Sequence, residues 1–289
     1  MGPLMLSSSE EAFSDHDNSS KLQGRKTRVI MGYKAMTLLY IAVEVYSACK
    51  LFALKTLPAS TFIAITSYIA LPAGISYILI SAAEHDRLGS DTYKRLNLSL
   101  LEYAMIGLSV IALSGGGNQI LKVAYILSLI NTVKGYAYGV LGWDKKSKTS
   151  LLQDFTRGIQ STIKGICSVP KNWKSFGYFS ATLMLVSMKL LKLKDVIIGI
   201  QSSGAAKDIA MSLARFNRLS LLTFMIYTLK DAADRDRLGG TTFIQLNYLC
   251  ALVLGIVGGV LGGGVMTPLG GSNVAIAIFC VMNGILGQK

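Results

Sequence analysis

Ala83-Glu84-His85-Asp86-Arg87-Leu88-Gly89-Ser90-Asp91-Thr92-Tyr93-Lys94-Arg95-Leu96-Asn97 is written twice in this chain. It returns 150 positions later as Ala233-Asp234-Arg235-Asp236-Arg237-Leu238-Gly239-Gly240-Thr241-Thr242-Phe243-Ile244-Gln245-Leu246-Asn247. Each copy lies between apolar runs of helical length, so the chain reads as a duplicated bundle. The ends of the two halves repeat as well. Gly177-Tyr178 echoes Gly32-Tyr33, and Gly284-Ile285-Leu286-Gly287 echoes Gly139-Val140-Leu141-Gly142.

Composition decides the solvent of that bundle. Of 289 residues, 51% are hydrophobic and 16% charged, a balance that a soluble domain of this length does not keep in water. The net charge of +13 does not read as a nucleic-acid surface, because the basic residues stand beside long apolar runs. Phospholipid headgroups are the partner this arrangement fits. Cys49, Cys167, Cys250 and Cys280 show neither a disulfide framework nor a metal spacing, and no cofactor motif is present.

The fold expected is all-α: a polytopic integral membrane protein of two tandem four-helix repeats in parallel orientation. Residues 1–31 form a disordered acidic head and a basic collar, with Glu10, Glu11, Asp15 and Asp17 in place of a signal-peptide core. Residues 32–143 are the first repeat, with apolar runs at 35–54, 60–82, 96–113 and 120–142, each near the roughly 20 residues that cross a bilayer. Pro72 predicts a kink in the second. Residues 144–175 are a basic linker of net charge +5, and residues 176–289 the second repeat. Lys189, Lys192, Lys194 and Asp195 interrupt the fifth run, and Lys207, Asp208, Arg215 and Arg218 load the sixth. Two counts therefore satisfy the pattern, eight spans or six. Lys and Arg gather on one side in either case, which puts both termini on the cytosolic or equivalent face and leaves Lys55 and the glycine-rich turns opposite.

Within the linker, Leu152, Phe155, Ile159, Ile163 and Ile166 recur at steps of three and four, with Arg157 and Lys164 on other faces. That is an amphipathic helix in the headgroup plane, and Arg157, Lys164, Lys171 and Lys174 are its candidate contacts to anionic lipid.

The repeated motif has two readings. As a helix-hairpin turn it uses Gly89 and Gly239 as left-handed C-terminal residues, Arg87 and Arg237 near the negative helix end, and Asp91, Thr92 and Thr241 as caps. As a functional site, Glu84, Asp86 and Arg87 face Asp234, Asp236 and Arg237 at the inner mouth of the bundle. Charges at membrane depth are the second candidate site, since each is costly unless paired or hydrated. Counting about 1.5 Å per residue puts Glu102 and Lys134 roughly 9 and 12 Å below the inner face on antiparallel neighbours. A Glu102–Lys134 ion pair with Asn131 nearby is expected, and Glu44, deeper, has only Lys50 at hand. Gly135 and Gly139, like Gly255, Gly259 and Gly263, repeat every four residues, a spacing that lets helices approach within the chain or between copies in a homo-oligomer.

Catalysis finds little support: His16 and His85 are the only histidines, and no nucleophile elbow or metalloprotease motif occurs, although membrane enzymes can work with scattered polar residues. Two functions remain open. One is a small-solute or ion transporter or channel with a polar path between the repeats through Glu44, Glu102 and Lys134. The other is a membrane-organising protein that binds anionic lipid and self-associates through its glycine stripes.

Overall fold

A computed structural model describes residues 7–54, 59–116, 119–144, 148–202, 204–260 and 268–287. These residues are all-helical: α1 (Ser7–Leu54), α2 (Ala59–Glu84), α3 (Asp91–Leu113), α4 (Gln119–Leu141), α5 (Leu151–Ile166), α6 (Trp173–Gln201), α7 (Ala206–Asp234), α8 (Thr241–Val260) and α9 (Pro268–Leu286). Lys55 and Gly263 lie outside the described residues. α1 starts at Ser7, so the head expected to be disordered is helical from there and runs without a break into the first apolar run.

Among the described residues, three helices are long and apolar enough to cross a bilayer: Ser20–Ser47, Asp91–Leu113 and Ala206–Asp234. Ala70–Glu84, Thr241–Ile256 and Gly270–Leu286 are shorter apolar helices. The architecture is that of a helical, membrane-embedded protein. The third long helix, α7, is the run whose four charges made it doubtful in sequence. Those charges fall in its first half, whereas Leu221, Leu222, Met225, Ile226 and Leu229 are buried in the bundle.

Neighbouring helices pair as hairpins: α1 with α2, α3 with α4, α6 with α7 and α8 with α9. The halves then join crosswise, α2 against α8 and α3 against α7. At the first of these contacts the Leu249 side chain fills the space beside Gly74, where a Cβ would come within 2.5 Å of it. Leu71, Ile75, Leu79, Leu246, Cys250 and Val253 are all buried in the same core. Close packing does the work that the hydrophobic effect does in water, since lipid tails are as apolar as leucine.

Corresponding polar bonds recur in the two halves. Tyr33 donates to Asn97 Oδ1, and Tyr178 donates to Asn247 Oδ1 at 2.6 Å. Elsewhere the halves diverge. Tyr40, Tyr103 and Tyr125 form an edge-to-face cluster tying α1, α3 and α4, with centroids 5.5 to 6.4 Å apart. In the second half Phe279 of α9 meets Trp173 and Tyr178 of α6 instead. Inside α2, Ser76 donates to the Pro72 carbonyl at 2.7 Å.

The motif forms a turn, but not through the glycines expected. Asp86 (φ 56°) and Asp236 (φ 50°) hold the left-handed position. The bonds Arg87 N to Ala82 O and Arg237 N to Ala232 O, each 2.8 Å, close the helix ends in Schellman fashion. Gly89 and Gly239 serve close approach instead. A Cβ on Gly89 would lie 2.6 Å from the Gly139 carbonyl, and one on Gly239 would lie 3.1 Å from that of Gly287. The side-chain cap expected from Asp91 or Thr92 is also replaced: Ser90 is the N-cap of α3 without a side-chain cap bond, and Asp91 is its first residue, where its charge suits the helix dipole; Thr241 is the first residue of α8.

The glycine stripes are used within the chain. Gly135 sits under the Tyr33 hydroxyl and Gly139 against the Leu88 carbonyl. Gly255 is in ordinary contact with Ala277, while Gly258 is closely packed, a Cβ there lying 2.7 Å from Asn273 Cβ and 2.9 Å from the Gly270 carbonyl oxygen. The surroundings of Gly259 are outside the described residues.

Candidate membrane-interface site

The linker helix α5 carries apolar residues on one side and charge on the other, and none of its residues is buried. Leu152, Phe155, Ile159 and Ile163 remain exposed on its apolar side. In water that face would be unstable, whereas at the boundary of headgroups and acyl chains it is satisfied.

Both ends of α5 are fastened to the bundle. At the N-terminal end, Asp154 accepts from Lys94 of α3 at 2.9 Å and from the Tyr136 hydroxyl of α4 at 2.7 Å. Burial pushes the Asp154 carboxyl up, but the bonds from Lys94 and Tyr136 and the charges of Lys94 and Arg157 outweigh it and hold it below the ordinary carboxylate value. At the C-terminal end, the fully buried Lys230 of α7 donates to Gly165 O (3.1 Å), Ser168 O (3.4 Å) and Ser168 Oγ (2.6 Å). A cation on the last carbonyls of a helix is also favoured by the helix dipole. Lys230 is neutralised by Asp234 at 2.8 Å, one helical turn on.

Asp234 belongs to the second motif, and it also accepts the Lys171 N–H at 3.0 Å while Asn172 Nδ2 donates to Ala233 O at 2.8 Å. Asn172 and Ser175 then complete a capping box that starts α6. In the first motif, Asp86 pairs with Lys26 at 3.0 Å and Glu84 with Lys34 at 3.7 Å, both from α1. The acids of the motif thus fasten the segment leading into the first helix of their own half. Arg87, Arg237 and Asp236 stay exposed.

A line of charge crosses the contact between α3 and α7. Arg95, 6% exposed, donates to Asp231 at 2.8 Å and lies over the Tyr227 ring, and Asp231 also holds Arg235 at 3.0 Å. Further along, Glu102 Oε1 accepts from Ser220 Oγ at 2.6 Å and faces Lys189 Nζ of α6 at 3.3 Å. Lys189 also donates to Ser220 at 2.5 Å and lies 4.8 Å from the Phe216 ring centre.

This corrects the expected Glu102–Lys134 pair. Helix α3 turns Glu102 toward the other half of the molecule, and Lys134 is exposed on α4. Asn131 is buried, donates to Val29 O at 3.3 Å and fills the space over Gly32, so it packs α4 on α1. Glu44 is half-buried on α1, and the Lys50 side chain lies outside the described residues. Arg157, Lys164 and Lys171 are exposed, and Lys174 stands 5.9 Å from the ring centre of exposed Trp173.

Sequence reading missed Arg95, Lys230, Asp231 and Tyr136. A signal for Arg95 was present in the motif itself, where the second copy has Gln245 at the matching place.

Among the described residues, depressions flank α5 on more than one side. A polar one of about 150 Å³ is lined by Asp91, Lys94, Arg95, Tyr136, Asp154 and Arg157, among others. An apolar cleft of about 430 Å³ runs beneath α5 along Leu98, Leu101 and Met105 to Glu102. A second cleft of about 380 Å³ continues past Phe224 to Lys189 and Leu193. Among the described residues no group of three metal-ligating side chains occurs. No protein-family model, curated protein or solved structure matches this chain.

Proposed function

We propose that this protein is a multi-pass, lipid-engaging membrane protein: two pseudo-twofold repeats form a scaffold, and α5 is the element that meets anionic phospholipid. The observation that carries the reading is the state of α5. It is pinned at both ends by Asp154 and Lys230, yet leaves an apolar face uncovered over apolar clefts. Trp173 and Lys174, at the start of α6, add the aromatic and basic anchors that favour an interface. The crosswise contacts and the matching Tyr–Asn bonds support the repeats, and the burial of α7 supports eight spans over six. The termini and both motifs then share the face that carries α5.

The transport reading draws on Glu102, which is partly open to the cleft. The geometry favours it less, because Lys189 neutralises Glu102 and Leu249 closes the α2–α8 contact at Gly74. Energy transfer from tryptophan to a fluorescent phosphatidylglycerol, in vesicles of phosphatidylcholine and phosphatidylglycerol, tests the proposal. The protein is expected to enrich phosphatidylglycerol around itself and to lose the enrichment when Arg157, Lys164, Lys171 and Lys174 are changed together to Gln. Unchanged enrichment in that variant, or flux of a small ion that vanishes in Glu102→Gln at equal protein level, would overturn it.

A further inference from the structure

The polar depression and the larger apolar cleft are not separate. Arg95, Leu98 and Gly158 line both, so the two adjoin along shared walls beneath the first half of α5. We propose that together they form a binding site for one anionic phospholipid, with its phosphate beside Arg157 and Lys94 and an acyl chain laid along Leu98, Met105 and Ile163. The proposal rests on α5 lying in the headgroup plane and narrows that reading from a charged surface to a single bound molecule.

Polarity changes along the site in the order a phospholipid requires. At one end Lys94, Asp154, Tyr136 and Arg157 present charge and hydroxyl within the span of one helical turn of α5. Beyond Gly158 the walls are mostly side-chain carbon from α3, α5 and Phe224, with Glu102 at the far end already engaged by Lys189 and Ser220. The second apolar cleft shares Thr162, Ile166 and Phe224 with the first and gives a long chain room to continue.

Charge selects among lipids. The polar end is lined by three cations, Lys94, Arg95 and Arg157, and two carboxylates, Asp91 and Asp154. Lys94 is paired with Asp154, and Arg95 with Asp231 beyond the depression, which leaves the Arg157 guanidinium to meet a phosphodiester. A choline headgroup would add a second cation beside Arg157, whereas a glycerol headgroup brings hydroxyls that Asp91 and Ser161 can bond. Arg157, exposed on α5, has the planar fork that suits phosphate oxygens. At about 430 Å³ the apolar cleft has the size of a small-molecule site, about 300–1,000 Å³.

Gly158 offers a way to close the site without disturbing the fold. A Cβ there meets nothing within 4 Å, so a larger side chain is accommodated at a position that lines both depressions. The full-length protein in detergent micelles is titrated with phosphatidylglycerol or phosphatidylcholine and weighed by native mass spectrometry. One phosphatidylglycerol per chain is expected to remain, with phosphatidylcholine about tenfold weaker. Gly158→Leu and Arg157→Gln should each lower retention about tenfold at unchanged melting temperature, while Lys192→Gln, on α6 and paired with Asp195, should not. Equal retention by wild type and both variants, equal affinity for phosphatidylcholine, or no retained lipid would overturn the proposal. Quenching of Trp173 by lipids labelled at the headgroup or deep in the chain separates the two levels. Shallow quenching together with variant-insensitive retention sinks the bound-lipid site alone, whereas deep quenching removes the headgroup-plane reading as well.

Discussion

Replacing Gly139 by Ala puts a methyl group where the repeated turn touches α4. The added Cβ would stand 2.6 Å from the Leu88 carbonyl oxygen and 2.9 Å from its carbon, well inside the 3.4 Å at which ordinary contact begins. Both are backbone atoms of a turn held by the Schellman bond of Arg87, so no flexible side-chain end can move aside. Overpacking of this kind costs about 1–3 kcal/mol, and a rigid obstacle places Gly139→Ala toward the upper end. Ala gains about 1 kcal/mol over Gly in helix propensity, which leaves a net loss of roughly 2 kcal/mol. Gly255→Ala is the matched control, because its Cβ meets only the Ala277 methyl at 3.6 Å. Melting of both variants in one detergent, followed by the emission of Trp143 and Trp173, should show Gly139→Ala several degrees below wild type and Gly255→Ala at or above it. Equal melting temperatures for the two variants would refute the reasoning.

Glu102→Gln and Lys189→Met, taken with their double variant, should show a coupling of about 1 kcal/mol, kept small because both side chains are partly exposed; a zero coupling in the melting cycle would dissolve the pair. The low Asp154 value ties α5 to pH. Its contribution is complete above the ordinary carboxylate value, 3.8, and is lost as pH falls through the lower folded-state value. Hydrogen exchange of residues 151–166 should therefore rise in that acidic window in wild type, and be fast at every pH in Asp154→Asn. Asp236→Gly should raise the melting temperature, gaining about 1 kcal/mol from relief of the left-handed backbone; a fall would show that the exposed carboxylate carries an unseen bond.

The sequence made the helices legible wherever their signal was local. The doubled motif located two turns, and the steps of three and four located α5. What crossed between halves was not legible. Glu102 was assigned to Lys134 because consecutive helices run antiparallel, but α3 packs on α7 as well as α4, and the side chain follows the face turned to α7. Lys230 gave no hint of its role, since its partners are carbonyls of a helix end more than sixty residues earlier. In the motif, glycine was assigned the left-handed position by preference, and aspartate holds it because backbone proximity to α4 and α9 claims the glycines.

The crosswise junction of the halves also bears on biogenesis. Arg95 and Glu102 leave the ribosome with α3, whereas Asp231 and Lys189 follow 136 and 87 positions later. Until then the two groups lack the counter-ions they hold in the folded protein, and an unpaired charge at membrane depth is costly. The packing of α3 is thus completed only when α6 and α7 supply Lys189 and Asp231. A chain ending before α6 would carry Arg95 and Glu102 without either counter-ion, so the first half is not electrostatically complete by itself.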